Sequence, residues 1–205
     1  MKKLSWLIAL SLFCLSSFAQ NAELAIGAVA PNFKLKNASN TVNGLDQLVS
    51  LEDFRNVKGY IVIFTCNHCP YSIAYEDRII NIHNTYALRG YPVVAINPND
   101  PDRVPEDSYD NMVIRAKEKR FPFAYLHDNT QEIAKEYGAT KTPHVFVVQK
   151  KKDKNLVRYV GAIDNSHTDE PSDTFLCDAI DALLSDKFPK TTNAKAFGCT
   201  IKWKR

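Results

Sequence analysis

An excess of either charge is missing from this 205-residue chain, in which 26 Lys and Arg face 23 Asp and Glu. Such a balance suggests neither a nucleic-acid partner nor an anionic membrane. Long apolar runs are missing as well, except at the N-terminus, where Leu4 to Phe18 follows Lys2 and Lys3. That run falls short of the roughly 20 residues a membrane helix needs, and Ser5, Ser11, Ser16 and Ser17 interrupt it. With small residues at Ser17 and Ala19 ahead of Gln20, residues 1–19 have the layout of a cleavable secretory signal. An uncleaved anchor fits less well, and bulky Phe13 disfavours lipid attachment at Cys14. Cleavage removes two lysines and lowers the formal charge from +3 to +1. The mature chain is therefore expected to be exported, in a periplasm or an equivalent compartment, without stable membrane insertion.

Glycine is scarce, with seven residues, and no internal repeat is present. With 45% hydrophobic residues the remainder can bury one sizeable core. A single domain is expected over residues 20–186, followed by a tail over residues 187–205. Cysteine is also scarce. Of five, Cys14 leaves with the signal and Cys66, Cys69, Cys177 and Cys199 remain, in a compartment where disulfides persist.

Tyr60 to Phe64 is a continuous apolar, β-branched run, the signature of a strand buried on both faces of a mainly parallel sheet. Cys66-Asn67-His68-Cys69-Pro70 follows at once, and Pro70 suits the first turn of a helix. Ile73, Ile79, Ile80 and Tyr86 then recur at helical spacing up to a stop at Gly90. A second strand is expected over Pro92 to Ile96, and a proline-rich loop over Asn97 to Pro105. Ser108 caps a helix running to about Arg120. Asn129 and Glu132 resemble a capping box ahead of a short helix ending at Gly138. His144 to Gln149 and Leu156 to Ile163 read as a hairpin around the charged turn Lys150 to Asn155. A last helix starts at Asp173, with Phe175, Leu176, Ile180, Leu183 and Leu184 on its apolar face. Strands alternating with helices imply an α/β sandwich.

Two thiols separated by two residues at a strand-to-helix turn close a small disulfide ring with little backbone movement, as reversible redox chemistry requires. Cys66 is the expected nucleophile. The unpaired N–H groups and dipole of the first turn favour its thiolate, and His68 inside the ring can donate to the same sulfur. Cys69, shielded by the helix, is the resolving thiol. Other uses of the motif fit less well. No second ligand pair stands at zinc spacing, since His83, His127, His144 and His167 are scattered. No histidine follows Cys69, as a c-type haem site demands. A two-residue loop stabilises little as a static staple. Pro143, at the mouth of the strand from His144, is either an edge-strand starter or the cis-proline that packs against a redox disulfide. Thr142 before it then offers backbone groups to an extended substrate.

Together these segments resemble the thioredoxin-like superfamily, and within it the redoxin branch of AhpC/TSA type. The resemblance rests on Cys66-Asn67-His68-Cys69-Pro70-Tyr71, Tyr75-Glu76-Asp77-Arg78, Ala95-Ile96-Asn97-Pro98-Asn99-Asp100, Thr142-Pro143-His144-Val145-Phe146, Gly161-Ala162-Ile163-Asp164 and Gly198-Cys199-Thr200-Ile201-Lys202-Trp203. It implies a three-layer sandwich with a mixed central sheet flanked by helices, a redox role for Cys66 and Cys69, and a cis Pro143. No bound cofactor or metal is expected, and the implied partners are protein thiols or disulfides, or a small thiol reductant. The tail motif makes Cys199 a candidate third redox thiol, acting with Cys66 or paired with Cys177 as a staple. Cys177 by itself reads as a small buried hydrophobe.

Thr65 replaces the tryptophan that commonly precedes the first cysteine in thioredoxins, and Ser72 stands where some exported reductases carry a proton-handling glutamate. Ile63 precedes Cys66 by three residues, where peroxidatic cysteines usually have a threonine. Neither cysteine is thus expected to have a partner hydroxyl, and thiol peroxidase ranks below disulfide exchange. A soft-metal chaperone holding copper through Cys66, Cys69 and a histidine is the remaining alternative.

Overall fold

The computed structural model describes residues 22–205, so the signal expected over residues 1–19 lies outside the described residues. Among the described residues no helix is long and apolar enough to cross a membrane.

Among the described residues ten strands are formed: β1 (Leu35–Asn37), β2 (Leu48–Val49), β3 (Gly59–Phe64), β4 (Val93–Asn97), β5 (Ala124–His127), β6 (Lys141–Thr142), β7 (His144–Lys151), β8 (Lys154–Gly161), β9 (Asn193–Ala194) and β10 (Cys199–Thr200). Four α-helices accompany them: α1 (Pro70–Tyr86), α2 (Tyr109–Glu118), α3 (Glu132–Tyr137) and α4 (Phe175–Leu184). The main sheet runs in the order β2, β1, β5, β4, β3, β7, β8, β9. Its centre is parallel, with β4 between β3 and β5. Antiparallel β7 and β8 extend it on one side, and antiparallel β1 on the other.

Every residue of β3 is buried because both faces of the sheet are covered. Side chains alternate across a strand. Ile61 and Ile63 accordingly join one core with Tyr75, Ile79 and Ile82 of α1, Met112 of α2 and Leu176 and Ile180 of α4. Tyr60, Val62 and Phe64 join the other, with Ala134 and Tyr137 of α3 and with Phe33, Val49 and Leu51. These are the three layers expected from the sequence, around a mixed sheet.

Two local expectations are corrected, and one strand is added to them. The strand Ala124–His127 was not expected; it ends the apolar stretch from Phe121 to Leu126 and is set by its pairing with β4, from Val94↔Ala124 to Asn97↔His127. The capping box of Asn129 and Glu132 does not form. Gln131 stands at the N-cap in a left-handed conformation, and the buried Asp128 carboxylate accepts from the Ala134 N–H at 2.8 Å. The charged turn shrinks to Lys152 and Asp153, because β7 and β8 pair out to Lys151↔Lys154.

The segment beyond α4 is woven into the sheets. Asn193 and Ala194 pair with the edge of β8, Cys199 and Thr200 pair with β6, and Ile201 is buried in the second core.

Candidate active site

Residues 65–69 span the gap between β3 and α1. Cys69 occupies the N-cap of α1 with an extended backbone, and Pro70 takes the first helical position, where its missing N–H costs no hydrogen bond. Both thiols are free, and Cys66 is 3% exposed against 0% for Cys69. Thr142 bridges them: its Oγ1 lies 3.2 Å from the Cys66 Sγ, and its carbonyl accepts from the Cys69 Sγ at 3.2 Å. The Thr142–Pro143 peptide is cis, as the resemblance implied. The Ser72 hydroxyl lies 3.8 Å from the Cys66 Sγ. Cys66 therefore has two hydroxyl neighbours, contrary to the expectation of none. Ser72 lies six residues on, within reach of local spacing, whereas Thr142 is 76 residues away and arrives through β6.

The two thiols titrate as one unit. Burial, then the neighbouring Cys69 and the Asp107 carboxylate, push Cys66 up. Cys69 is lowered to about 4, first by its hydrogen bond with Cys66 and further by the Cys199 thiol and the backbone N–H groups of Ser72 and Cys199. Burial and the Cys69 and Asp107 neighbours oppose the lowering of Cys66 expected from the helix terminus.

His68 points its Nδ1 at the Asp107 Oδ2, 2.6 Å away. Asp107 was not singled out from the sequence, yet it organises the turn. It is fully buried and accepts from the Asn67 N–H at 2.6 Å and Asn97 Nδ2 at 3.1 Å on one oxygen. The other oxygen faces His68 and accepts from Asn99 Nδ2 at 2.8 Å. The Tyr125 hydroxyl closes the ring by donating to Asn67 Oδ1 at 2.8 Å. The only hint in the sequence is the density of Asn and Asp in the loop after β4. Ligand atoms of Cys66, His68 and Asp107 fall within 4.8 Å of one another, a spacing a metal ion can use. The hydrogen bonds on Asp107 and on His68 Nδ1 already engage most of those atoms.

Cys199 comes to the pair through β10, whose register sets it opposite Thr142. Gly198 makes that approach possible: it adopts φ +146°, and a Cβ there would lie 2.2 Å from the Thr142 oxygen. Thr142 and Pro143 are both buried, with Gly198 lying against them. Cys177 is half-buried on α4, packed on the α1-side core and hydrogen-bonded with Tyr86. The two outer cysteines are free and sit in different parts of the molecule.

A profile of the AhpC/TSA family matches residues 26–159, which include both cysteines, Asp107 and the cis-proline. The chain belongs to the AhpC/TSA family. No curated protein matches it. An uncharacterized conserved protein of Geobacillus kaustophilus is similar at 35% identity, with a TM-score of 0.78 over 88% of this chain and 93% of that one. A hypothetical protein of Sinorhizobium meliloti is similar at 30% identity, with a TM-score of 0.79 over 89% of this chain and 96% of the other. A thiol:disulfide interchange protein of the thioredoxin family from Chlorobium tepidum shares the fold at 21% identity, with a TM-score of 0.53 over 71% and 92%. The fold is thioredoxin-like.

In this AhpC/TSA chain the other segments carrying the resemblance serve to hold the cysteine turn in place. Tyr75 donates to the buried Asp164 at 2.6 Å, and Arg78 pairs with the same carboxylate at 2.5 Å, tying α1 to the end of β8. Glu76, 6% exposed, receives Arg115 in a fork of two 2.7 Å bonds, tying α1 to α2. Asn97 and Asn99 hold Asp107.

Proposed function

We propose that this protein is an exported thiol-disulfide oxidoreductase that works by dithiol/disulfide exchange through Cys66 and Cys69. The observation that carries the reading is the junction of both sulfurs on Thr142, at the N-terminus of α1 and beside a cis-proline. Cys66 is the attacking thiol because it alone of the pair retains exposure. Its proton passes to Cys69, and its sulfur then meets the Thr142 hydroxyl and the Cys69 N–H. Attack on a substrate disulfide forms a Cys66–substrate bond and releases one substrate thiolate. Cys69 then attacks the Cys66 sulfur and releases the second, leaving the Cys66–Cys69 disulfide. The reverse sequence oxidises a dithiol. His68, held by Asp107, supplies and accepts protons at the mouth of the site. Thr142 and Pro143 are buried beside the two sulfurs, and Thr142 holds both in place.

Equilibration with thiol buffers, followed by alkylation and mass analysis, tests the reading. A Cys66–Cys69 disulfide with a single two-electron potential is expected. A value near about −270 mV marks a reductase and one near about −120 mV an oxidant. No Cys66–Cys69 bond in the oxidised protein overturns the reading.

The Thr142 hydroxyl beside Cys66 favours thiol peroxidase as a second reading. Rapid oxidation of the reduced protein by hydrogen peroxide, stoichiometric and dependent on Cys66, replaces the first reading with this one. Stoichiometric Cu(I) binding that blocks exchange replaces it with metal delivery.

A further inference from the structure

The tail covers the surface that a substrate of the cysteine pair needs. Thr142 and Pro143 are buried, and the backbone of β6 is paired by β10, with Cys199 opposite Thr142 and the Ile201 N–H donating to the Thr140 carbonyl. This cover is anchored at several points. Lys202 N–H donates to Asn99 Oδ1 at 2.8 Å, and its carbonyl accepts from the Asp100 N–H at 2.9 Å and from Gln131 Nε2 at 2.9 Å. Ile201 is 3% exposed. Asn99 also holds Asp107, so the anchor and the site share a residue.

The result is a group of three sulfurs with graded access. Cys69 is completely buried, and Thr142, which contacts both Cys66 and Cys69, is the residue that Cys199 faces across the β6–β10 pairing, so all three thiols gather around it. Cys66 is 3% exposed, whereas Cys199 is only partly buried. A bulky partner meets Cys199 first. A redox pair under such a cover needs a route for electrons from outside, and a thiol beside the resolving sulfur supplies one.

We propose that Cys199 is a third redox thiol that exchanges with Cys69 and carries the disulfide to the surface. This rests on the exchange reading of Cys66 and Cys69. In the oxidised protein the Cys199 thiolate attacks the Cys69 sulfur. The Cys69–Cys199 bond forms, the Cys66–Cys69 bond breaks, and Cys66 leaves with the electron pair and takes up the proton that Cys199 lost. The step is an isomerisation with no net oxidation. An external dithiol then attacks the Cys199 sulfur and expels Cys69 as a thiol. Its second thiol breaks the mixed disulfide, so the reductant leaves oxidised and all three protein thiols are reduced. The route sends substrate chemistry through Cys66 and reducing equivalents through Cys199, with the buried Cys69 between them in the exchange.

The test uses the mature full-length chain, oxidised with diamide and mapped by proteolysis and mass spectrometry. Cys66→Ser is expected to give a Cys69–Cys199 link, and Cys199→Ser a Cys66–Cys69 link. A Cys66→Ser protein that remains a dithiol, or that links only through Cys177 or between molecules, overturns the relay. If Cys199→Ser in the same experiment holds its Cys66–Cys69 bond, the exchange reading survives that failure. If it does not, the exchange reading fails and the relay with it. A second measurement compares reduction of oxidised wild type and Cys199→Ser by a protein dithiol such as a thioredoxin and by dithiothreitol. The ratio of the protein-dithiol rate to the dithiothreitol rate is expected to fall about tenfold in Cys199→Ser. An unchanged ratio overturns the relay.

Discussion

Asp107 shows how much one buried carboxylate organises. Its two oxygens serve the Asn67 N–H, the amides of Asn97 and Asn99, and His68. Replacing one oxygen by an amide turns an acceptor toward a donor, and a buried donor without a partner is costly. Asp107→Asn is expected to lower stability by about 2–4 kcal/mol in urea unfolding. Loss of the hold on His68 is expected to slow disulfide exchange by about tenfold, read against insulin or a small disulfide. The thiol pair makes a second prediction at this scale. Cys69 is lowered to about 4 from the ordinary thiol value of 9.0, while Cys66 is raised. Between about pH 4 and 9 the folded reduced protein has released one proton and the unfolded chain none, so stability climbs with pH. Above 9 the unfolded chain sheds two protons while the folded one keeps the second, and stability drops. Oxidised protein lacks both titrations. The difference in urea midpoint between reduced and oxidised protein is therefore expected to rise from pH 5 to 8, and a flat difference refutes the assignment.

Among the elements, α1 is the one on which the site depends, because its first turn carries Cys69 and its N–H groups face the sulfurs. It is fastened to its neighbours by buried charges as well as by its apolar face. Glu76 takes the Arg115 fork from α2, and Asp164 takes Tyr75 and Arg78 from the α1 side. Arg115→Ala leaves Glu76 buried with Lys119 at 3.3 Å as its remaining cation. A loss of about 1–3 kcal/mol is expected, seen as a lower urea midpoint with an unchanged slope. Ser108 shows the opposite case, an element boundary decided locally. Its hydroxyl accepts from the Asn111 N–H at 3.4 Å and starts α2 where the sequence indicates. For α3 the cap comes instead from Asp128, a residue whose burial no sequence pattern announces.

At the scale of the whole molecule, the last residues complete the site. β10 covers the cis-proline turn, Ile201 fills the second core, and the Arg103 guanidinium donates to the Trp203 carbonyl at 3.0 Å. Removal of residues 198–205 is expected to cost at least about 2 kcal/mol, from the buried Ile201 and the lost backbone pairing. The same truncation is expected to raise the alkylation rate of Cys66 several-fold at neutral pH, because the sulfur is 3% exposed with the tail in place. A truncated chain with unchanged stability and unchanged Cys66 reactivity contradicts this role.

The amino-acid order alone determined the three-layer α/β plan, because a β-branched run such as Tyr60 to Phe64 and the period of α1 are local signals of burial. It also placed the two neighbouring thiols, since two cysteines two residues apart at a helix start need no fold to be read. Only the tertiary structure decided who surrounds that pair. Thr142 and Cys199 reach Cys66 and Cys69 through strand pairing across long stretches of chain, and Asp107 acquires its role only when β4 and its loop close over the turn. The ionisation of the two sulfurs was decided there too. Helix position by itself favours Cys66 as the anion, but burial and converging donors belong to the packed molecule, and they shift the first proton's loss toward Cys69.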